Sequence, residues 1–595
     1  MNDNQNSYYQ NKKSINQNYW KLSTKTELET HFELFFSQRF NFPSALVPIL
    51  IDNKVSKDNF ELFLDPKIKN FLPDPSIFID MDKTVKRIAN EIENKNPIGI
   101  FGDYDVDGAT SAALLKLFLQ YFGIEVHIHI PDRFLEGYGP NISALNSLVS
   151  KGSNLIITVD CGINSHEPLK ELNKTDIDCI IIDHHTPDDD LPPAFSIVNP
   201  KRKENGIEYH YLSAVGVTFI MIVGLTRELR QRGVFEKIKE PNLFRFLDLV
   251  ALGTVCDVVP LKGLNRCFVK AGLNIISQRK NLGINALCDI SDLNKIPDEE
   301  TLGYKLGPKI NAAGRIGSSD IGVSLLISKD ISKANELASK LYQLNEKRKK
   351  LTNNSTLEAI GMVESEKNKI GKLPDFLFLV GENWNEGIIG ILAGKIKEKY
   401  NRPCCVISLG QNHSKGSARS IANIPIGEYF LEALDKKLLV KGGGHDLAAG
   451  LTIENNKIQM FKDFLISKVE HAFQENELVS EISVTSELSI SALNSDLMDW
   501  IKKLGPWGQG NPIPKFLIKD VIIKKLVFFG KEKQHLLVKV SDNSGEINCK
   551  IFNINETAFS SVLEKNKSLH LLGNLVSNEW NNKNKVEFNL IDIMT

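Results

Sequence analysis

Short apolar runs that alternate with helical patterns constrain this chain more than any other feature. Ile98-Gly99-Ile100-Phe101, Ile124 to Ile130, Leu155 to Val159 and Cys179 to Ile182 are near-continuous apolar stretches with helical spacing between them. Strands of that kind are covered on both faces, and strand–helix alternation is the pattern of a parallel sheet flanked by helices. Ala109 to Phe122 supplies one of the helices, with Gly123 as its stop. Ligands of such sheets bind beyond the carboxyl ends of the strands.

Those ends carry the chemistry. They read Asp103-Tyr104-Asp105-Val106-Asp107-Gly108, Val159-Asp160-Cys161-Gly162 and Asp183-His184-His185, with Cys256-Asp257-Val258-Val259-Pro260 following a predicted helix over Pro241 to Leu252. Mixed carboxylate and imidazole ligands suit a pair of divalent cations, and paired metals suit attack on a phosphate ester. Histidine among the ligands tilts the choice toward manganese over magnesium. The first turn imitates the start of a calcium loop, but its twelfth position is Leu114 and a strand pattern precedes it, so an EF-hand is excluded. Helix capping explains one aspartate there. Three at alternate positions repel one another unless a cation offsets their charge. His127 and His129 read as half-exposed strand residues, and His166-Glu167 lacks the second histidine of a zinc-protease helix.

At 595 residues the chain needs several cores. Residues 1–19 are expected to be a disordered tail, 20–90 a helical segment, 91–327 the catalytic α/β domain, 328–370 a solvated, charge-rich connecting helix, 371–478 a second α/β domain and 479–595 a small β-barrel. The net charge of −1 leaves nucleic-acid binding to local basic patches. Eight scattered cysteines without a C-x-x-C pair argue against a zinc ribbon or a disulfide framework. No run of eighteen apolar residues and no secretion signal is found, so a cytoplasmic protein without membrane contact is expected. Gly387 to Lys395 is not a P-loop, because Ile396 stands where serine or threonine is needed.

With those motifs in view, Asp105-x-Asp107, Val159-Asp160, Asp183-His184-His185 and Asp257 resemble the DHH phosphoesterase superfamily. Asn311-Ala312-Ala313-Gly314-Arg315, Gly443-Gly444-His445-Asp446 and Trp507-Gly508-Gln509-Gly510-Asn511-Pro512 narrow the resemblance to its bacterial RecJ family. The resemblance implies two Mn²⁺ or Mg²⁺ ions, one held by Asp105 and Asp160, the other by Asp107, Asp160, His184 and Asp257. It implies His185 at the scissile phosphate, with Asp103 and Asp183 in support. Phe101 stands where some members carry a histidine, which leaves water or Asp103 to complete the first ion's shell. The second α/β domain resembles the DHH-associated domain, with Ser417, Arg419, Gly443, Gly444 and His445 as phosphate-binding elements. Glycine runs expose backbone N–H groups and arginine adds a fork for phosphate. Arg133 and Arg315 fall where the family has basic residues near the nucleic-acid backbone. The barrel resembles an oligonucleotide-binding fold, in which Trp507, Phe516, Phe528 and Phe529 are candidates for base stacking.

The implied activity is a single-stranded-DNA-specific 5′-3′ exonuclease of two-metal mechanism, acting in repair and recombination. It would work as a monomer, assisted by a single-strand-binding protein or a helicase. A phosphodiesterase for short oligoribonucleotides or cyclic dinucleotides is the alternative within the superfamily. A non-catalytic single-strand-binding scaffold is the alternative outside it.

Overall fold

The computed structural model describes residues 8–22, 27–293, 296–475, 480–554, 557–580 and 583–595. The part of the expected disordered tail that falls within these residues is ordered. Strand β1 (Tyr8–Lys13) pairs antiparallel with β2 (Tyr19–Leu22). Aromatic burial explains the difference: Trp20 is fully buried, stacks on Tyr9 and donates from Nε1 to Asp592 Oδ2 at 3.0 Å. Residues 1–7 lie outside the described residues. Helix α1 (Glu27–Phe40) opens a run of short helices.

The first α/β domain is built on five parallel strands, β3 (Ile98–Gly102), β4 (Val126–His129), β5 (Leu155–Val159), β6 (Asp178–Ile182) and β7 (Ser196–Val198), in the order β4-β3-β5-β6-β7. Register aligns their carboxyl ends. Gly102 pairs with Val159, Val159 with Ile182, and Ile182 with Val198. The ladder then runs one residue further, with the N–H of Asp103, Asp160 and Asp183 donating to Val159, Ile182 and Val198. Three acidic residues therefore stand side by side along one edge. Helices α2 (Val106–Tyr121), α3 (Ala214–Gln231) and α4 (Leu247–Cys256) cover the sheet with a largely apolar core. The helix expected from Pro241 begins instead with a tight turn over Leu243–Phe246, and its α-helical part starts at Leu247.

After α5 (Gly307–Ile316) comes α6 (Ile331–Ile370), about 60 Å long at 1.5 Å per residue. It is not wholly solvated. Ala334, Leu337, Ala338 and Leu341 join the core of the first α/β domain, whereas Ala359 and Val363 pack with Leu377 and Trp384 of the second domain. One helix is thus clamped into two cores, which fixes the domains across a cleft.

The second sheet comprises β8 (Leu377–Gly381), β9 (Cys404–Ser408), β10 (His413–Arg419), β11 (Lys441–His445) and β12 (Ala448–Glu454), ordered β11-β12-β10-β9-β8, with α7 (Ile389–Tyr400) between β8 and β9. Beyond β13 (Glu481–Val484) and β14 (Ser486–Glu487), the barrel strands are β15 (Phe516–Phe529), β16 (His535–Ser541), β17 (Glu546–Ile551), β18 (Ser568–Trp580) and β19 (Lys583–Met594). Pairing of β15 with both β16 and β18 closes the barrel. Its core is shared with the N-terminal segment: Phe36, Phe42, Leu46 and Phe60 pack among Phe516, Ile518, Val540 and Phe588. Strand β2 also pairs in parallel with β13. Among the described residues no helix is long and apolar enough to cross a membrane.

Candidate metal centre

The register of the sheet delivers the predicted ligands to one place. Three groups converge within 4.8 Å: Asp103, Asp105 and Asp160; Asp107, His184 and Asp257; and Asp160, His184 and His185. The remaining predicted residue, Asp183, supports them from below. Its Oδ1 accepts from His184 N, His185 N and His185 Nδ1 at 2.7, 3.1 and 2.8 Å, and its Oδ2 from Ile163 N at 3.1 Å. With both oxygens occupied it is a brace.

Each predicted ligand is aimed by its own element. Asp105 caps α2, where Oδ1 accepts from Asp107 N and Gly108 N at 2.9 and 3.1 Å. Asp107 sits in the first turn of α2 and accepts from Ala214 N and Val215 N at the start of α3, at 2.6 and 2.9 Å. Asp257 caps the end of α4. That helix can approach because Gly253 has no side chain. A Cβ there would lie 2.3 Å from Thr110 Oγ1 and 2.9 Å from Asp107 Oδ1. His184 Nδ1 lies 3.1 Å from the Leu212 carbonyl, which fixes the tautomer and leaves Nε2 as the free lone pair. That Nε2 is 3.3 Å from Asp160 Oδ1, 3.4 Å from Asp257 Oδ2 and 4.0 Å from Asp107 Oδ2. Two backbone strains accompany the cluster: Asp160 has φ +61° and Val258, a β-branched residue, φ +58°.

The electrostatics are those of a cation site. Asp103 Oδ1, Asp160 Oδ1, Asp257 Oδ2 and His184 Nε2 are all buried without a hydrogen-bond partner. Burial, and next the neighbouring carboxylates, push Asp103, Asp160 and Asp257 well above the usual carboxylate range. Burial together with Asp105 pushes Asp107 up to about 7. Burial and then His185 push His184 down to about 3, so the imidazole is a neutral ligand. At Asp183 burial acts upward, but the His185 hydrogen bond, the charges of His185 and His184 and the backbone N–H of His185 together outweigh it and hold the carboxyl at about 2. Phe101 is fully buried and stacks on His129 at 5.4 Å. Asp103 is the acidic group beside Asp105 and Asp160.

Near the acidic edge, and on the second domain beside it, lie arginines that form no close ion pair among the described residues. Arg315, at the end of α5, donates to the Gly387 carbonyl at 3.2 Å and is pushed down to about 10 by burial and then by Arg133 and Arg348. Arg133 rests on the Tyr104 ring at 5.1 Å. Arg419 donates to Ser417 Oγ at 3.1 Å, and burial followed by Arg133 lowers its pKa as well. A Cβ on Gly390, in the first turn of α7, would fall 3.2 Å from Arg419 Nη2 and 3.3 Å from Ser417 Oγ. Backbone and side-chain donors therefore meet there. Gly443 shares a cross-strand row with Gly450 and Ser417, and His445 shares one with Ala448 and Arg419. The glycine run thus lies two strands from Arg419, with Gly444 and His445 at the exposed edge.

Sequence reasoning missed Arg348. It sits in the charged run of α6, yet its Nε is buried without a partner. The buried residues Leu341, Asn345, Thr352 and Ser355 flank it at helical spacing, so the stripe itself marks Arg348 as inward-facing. Lys201, whose pKa burial lowers although Asp257 and Asp183 pull it upward, is a second missed cation. Trp507 is half-buried: its backbone N–H donates to Glu299 Oε1 at 2.6 Å and its ring packs against the barrel core, in the seam between the barrel and the first α/β domain. Phe516 is core as well, whereas Phe528 is 56% exposed.

Three family models match: the DHH family N-terminal domain over residues 97–254, the DHHA1 domain over 374–471 and the RecJ OB domain over 484–592. The single-stranded-DNA-specific exonuclease RecJ of Haemophilus influenzae is 34% identical over 85% of this chain and 89% of that protein. The protein of the same name from Bacillus subtilis is 33% identical over 90% of this chain. This chain spans 66% of that longer relative, just under two thirds of its length. The crystal structure of RecJ in complex with Mn²⁺ from Thermus thermophilus superposes with a TM-score of 0.80 at 25% identity, covering 97% of this chain and 79% of that one. The aligned acidic edge, the three domains in this order and these relatives together lead to one conclusion: the chain belongs to the RecJ family of DHH-domain proteins.

Proposed function

We propose that this protein is a metal-dependent exonuclease that hydrolyses single-stranded DNA from its 5′ end. The observation that carries the reading is the set of buried, unpartnered ligand atoms of Asp103, Asp160, His184 and Asp257, with Arg133 and Arg315 close enough to feel the acidic edge. Mutually repelling carboxylates beside a neutral imidazole fit divalent cations, and the RecJ relatives carry the matching names. Asp105 and Asp160 would hold one ion, and Asp107, Asp160, His184 and Asp257 the other. Bound there, Mn²⁺ or Mg²⁺ would supply Lewis acidity toward the phosphodiester and lower the pKa of water.

The chain's own groups do the remaining work. Asp183 engages Nδ1 of His185, leaving that ring's other nitrogen to meet a phosphate oxygen. Arg133, Arg315 and Arg348 line the approach, and their mutual repulsion is relieved by a polyanionic backbone. Ser417, Arg419 and the first turn of α7 suit a terminal phosphate, and Gly443, Gly444 and His445 extend that surface. The substrate in this reading is an unpaired strand, the form that a helicase or a single-strand-binding protein would present.

The test is hydrolysis of end-labelled single-stranded DNA, duplex DNA and a dinucleotide in Mn²⁺, Mg²⁺ or chelator. Stepwise release of short products from the 5′ end of the single strand, abolished by chelator, is expected. Turnover confined to the dinucleotide would favour the small-substrate phosphodiesterase instead, and binding without hydrolysis the non-catalytic scaffold.

A further inference from the structure

The loop that follows β4 is braced at more points than a connection needs. Glu136 is its hub: Oε1 accepts from Asp132 N at 2.8 Å, and Oε2 accepts from Asn141 Nδ2 at 2.9 Å and lies 2.8 Å from His129 Nε2. Asp132 Oδ1 in turn accepts from Phe134 N and Leu135 N at 2.8 and 3.0 Å. Gly137 and Gly139 follow, both in the left-handed region at φ +86° and +79°, so the backbone reverses on either side of one residue, Tyr138.

That tyrosine is oriented against the usual preference of its side chain. An amphipathic ring ordinarily buries its apolar body and leaves the hydroxyl in water. Here the hydroxyl points inward: its oxygen lies 3.2 Å from His185 Nδ1, a second acceptor beside Asp183 for that N–H, and its O–H is directed at the Asp160 carbonyl at 3.5 Å, while the residue is 54% exposed. Its ring meets that of His185 edge-on at 5.7 Å, and the His185 side chain is itself 43% exposed. A group that reaches His185 therefore passes an open aromatic face.

We propose that Tyr138 is a positioning residue with two working surfaces: its hydroxyl holds the His185 imidazole, and its open ring stacks the unpaired nucleobase at the nucleotide being cleaved. The inference rests on the nuclease reading above. A flat π-face recognises any base without regard to sequence, and a base within a duplex is already stacked on its neighbours, so such a platform selects single strands.

Two variants and one modified strand test it. In Tyr138→Phe the ring remains and the hydroxyl's contacts to His185 and to the Asp160 carbonyl are lost, so kcat should fall about fivefold with KM unchanged. In Tyr138→Ala the stacking face goes too, and KM should rise about tenfold or more. A strand whose 5′-terminal nucleotide is abasic should show that same increase in KM with the unmodified protein and no further increase with Tyr138→Ala. The Mn²⁺-induced shift in thermal midpoint should be the same in Tyr138→Phe as in the unmodified protein, which reports an intact fold and metal site. Unmodified KM in Tyr138→Ala, or continued discrimination against the abasic strand by that variant, would overturn the stacking role. An unchanged kcat in Tyr138→Phe would overturn the hydroxyl's role. An unmodified protein that degrades no DNA would instead refute the nuclease reading, a separate and recognisable result.

Discussion

Asp160 is shared by two of the ligand groups, occupies the centre of the acidic edge and has its Oδ1 buried without a hydrogen bond. Asp160→Asn removes one negative charge while keeping shape, and asparagine tolerates the left-handed backbone found there at φ +61°. Two like charges 4.8 Å apart, the outer limit of each ligand group, repel by about 3 kcal/mol at an effective dielectric constant of about 20. Without metal, at alkaline pH where the carboxylates ionise, the variant should therefore be more stable than the unmodified protein by about 1–3 kcal/mol. With metal the difference should shrink to near zero or reverse. An ion present at about a hundredfold its dissociation constant stabilises by about 2.7 kcal/mol, which raises the midpoint of a domain this size by roughly 5–10 °C. That increment should be lost in the variant, together with nuclease activity. Thermal unfolding in chelator and across a Mn²⁺ titration reads both quantities. A variant that is less stable in chelator, yet keeps the full Mn²⁺ shift, would refute the assignment of Asp160 as a shared ligand.

Arg348→Ala should raise KM for single strands and flatten the dependence of log KM on log salt by about 0.7 for the one phosphate contact removed; an unchanged slope would place Arg348 outside the strand's path. Gly253→Ala sets a methyl group 2.3 Å from Thr110 Oγ1 and 2.7 Å from Val215 Cγ1, so α4 must shift. Expected are a loss of about 1–3 kcal/mol in denaturant unfolding and weaker Mn²⁺ binding through displaced Asp257. Asp248, buried in the first turn of α4, is pushed up to about 7 by burial. Its ionisation thus costs the folded state more than the unfolded one, and stability should fall as pH rises from about 4 to 7. Asp248→Asn should remove that fall and exceed the unmodified protein above pH 7 by up to about 4 kcal/mol, as read by urea midpoints at pH 5 and 8.

The acidic edge was legible because each turn follows an apolar run, and a parallel sheet allows only one end for its ligands. Asp103, Asp160 and Asp183 needed no contact information to be grouped. The remainder depends on which face of an element looks inward. Arg348 lies in a run of Glu346-Lys347-Arg348-Lys349-Lys350 that reads as solvent-facing until the buried residues four or seven positions away are followed through it. Trp507 is a stacking candidate by resemblance to an oligonucleotide-binding fold, and its link to Glu299, some two hundred residues earlier, through the backbone N–H has no signal in the local sequence. Tyr138 has no signal beyond the glycines on either side. Its value comes from His185, brought close by strand register. Residues 8–19 read as disordered because polar residues dominate them, and what orders them is the pairing of β1 with β2, the burial of Trp20 and the pairing of β2 with β13, which no local pattern reveals.

That long-range pairing has a kinetic consequence. The side chains that fill the barrel come from residues 36 to 60 as well as from beyond 490, so this core is assembled from segments separated by most of the polypeptide. During synthesis the early helices must wait, with Phe36, Phe42 and Phe60 unsatisfied, until the last strands leave the ribosome. Contacts of such sequence separation form slowly and leave apolar surface open to aggregation meanwhile. The barrel should therefore be the last unit to become protease-resistant in a refolding time course, after the sheet that carries the acidic edge.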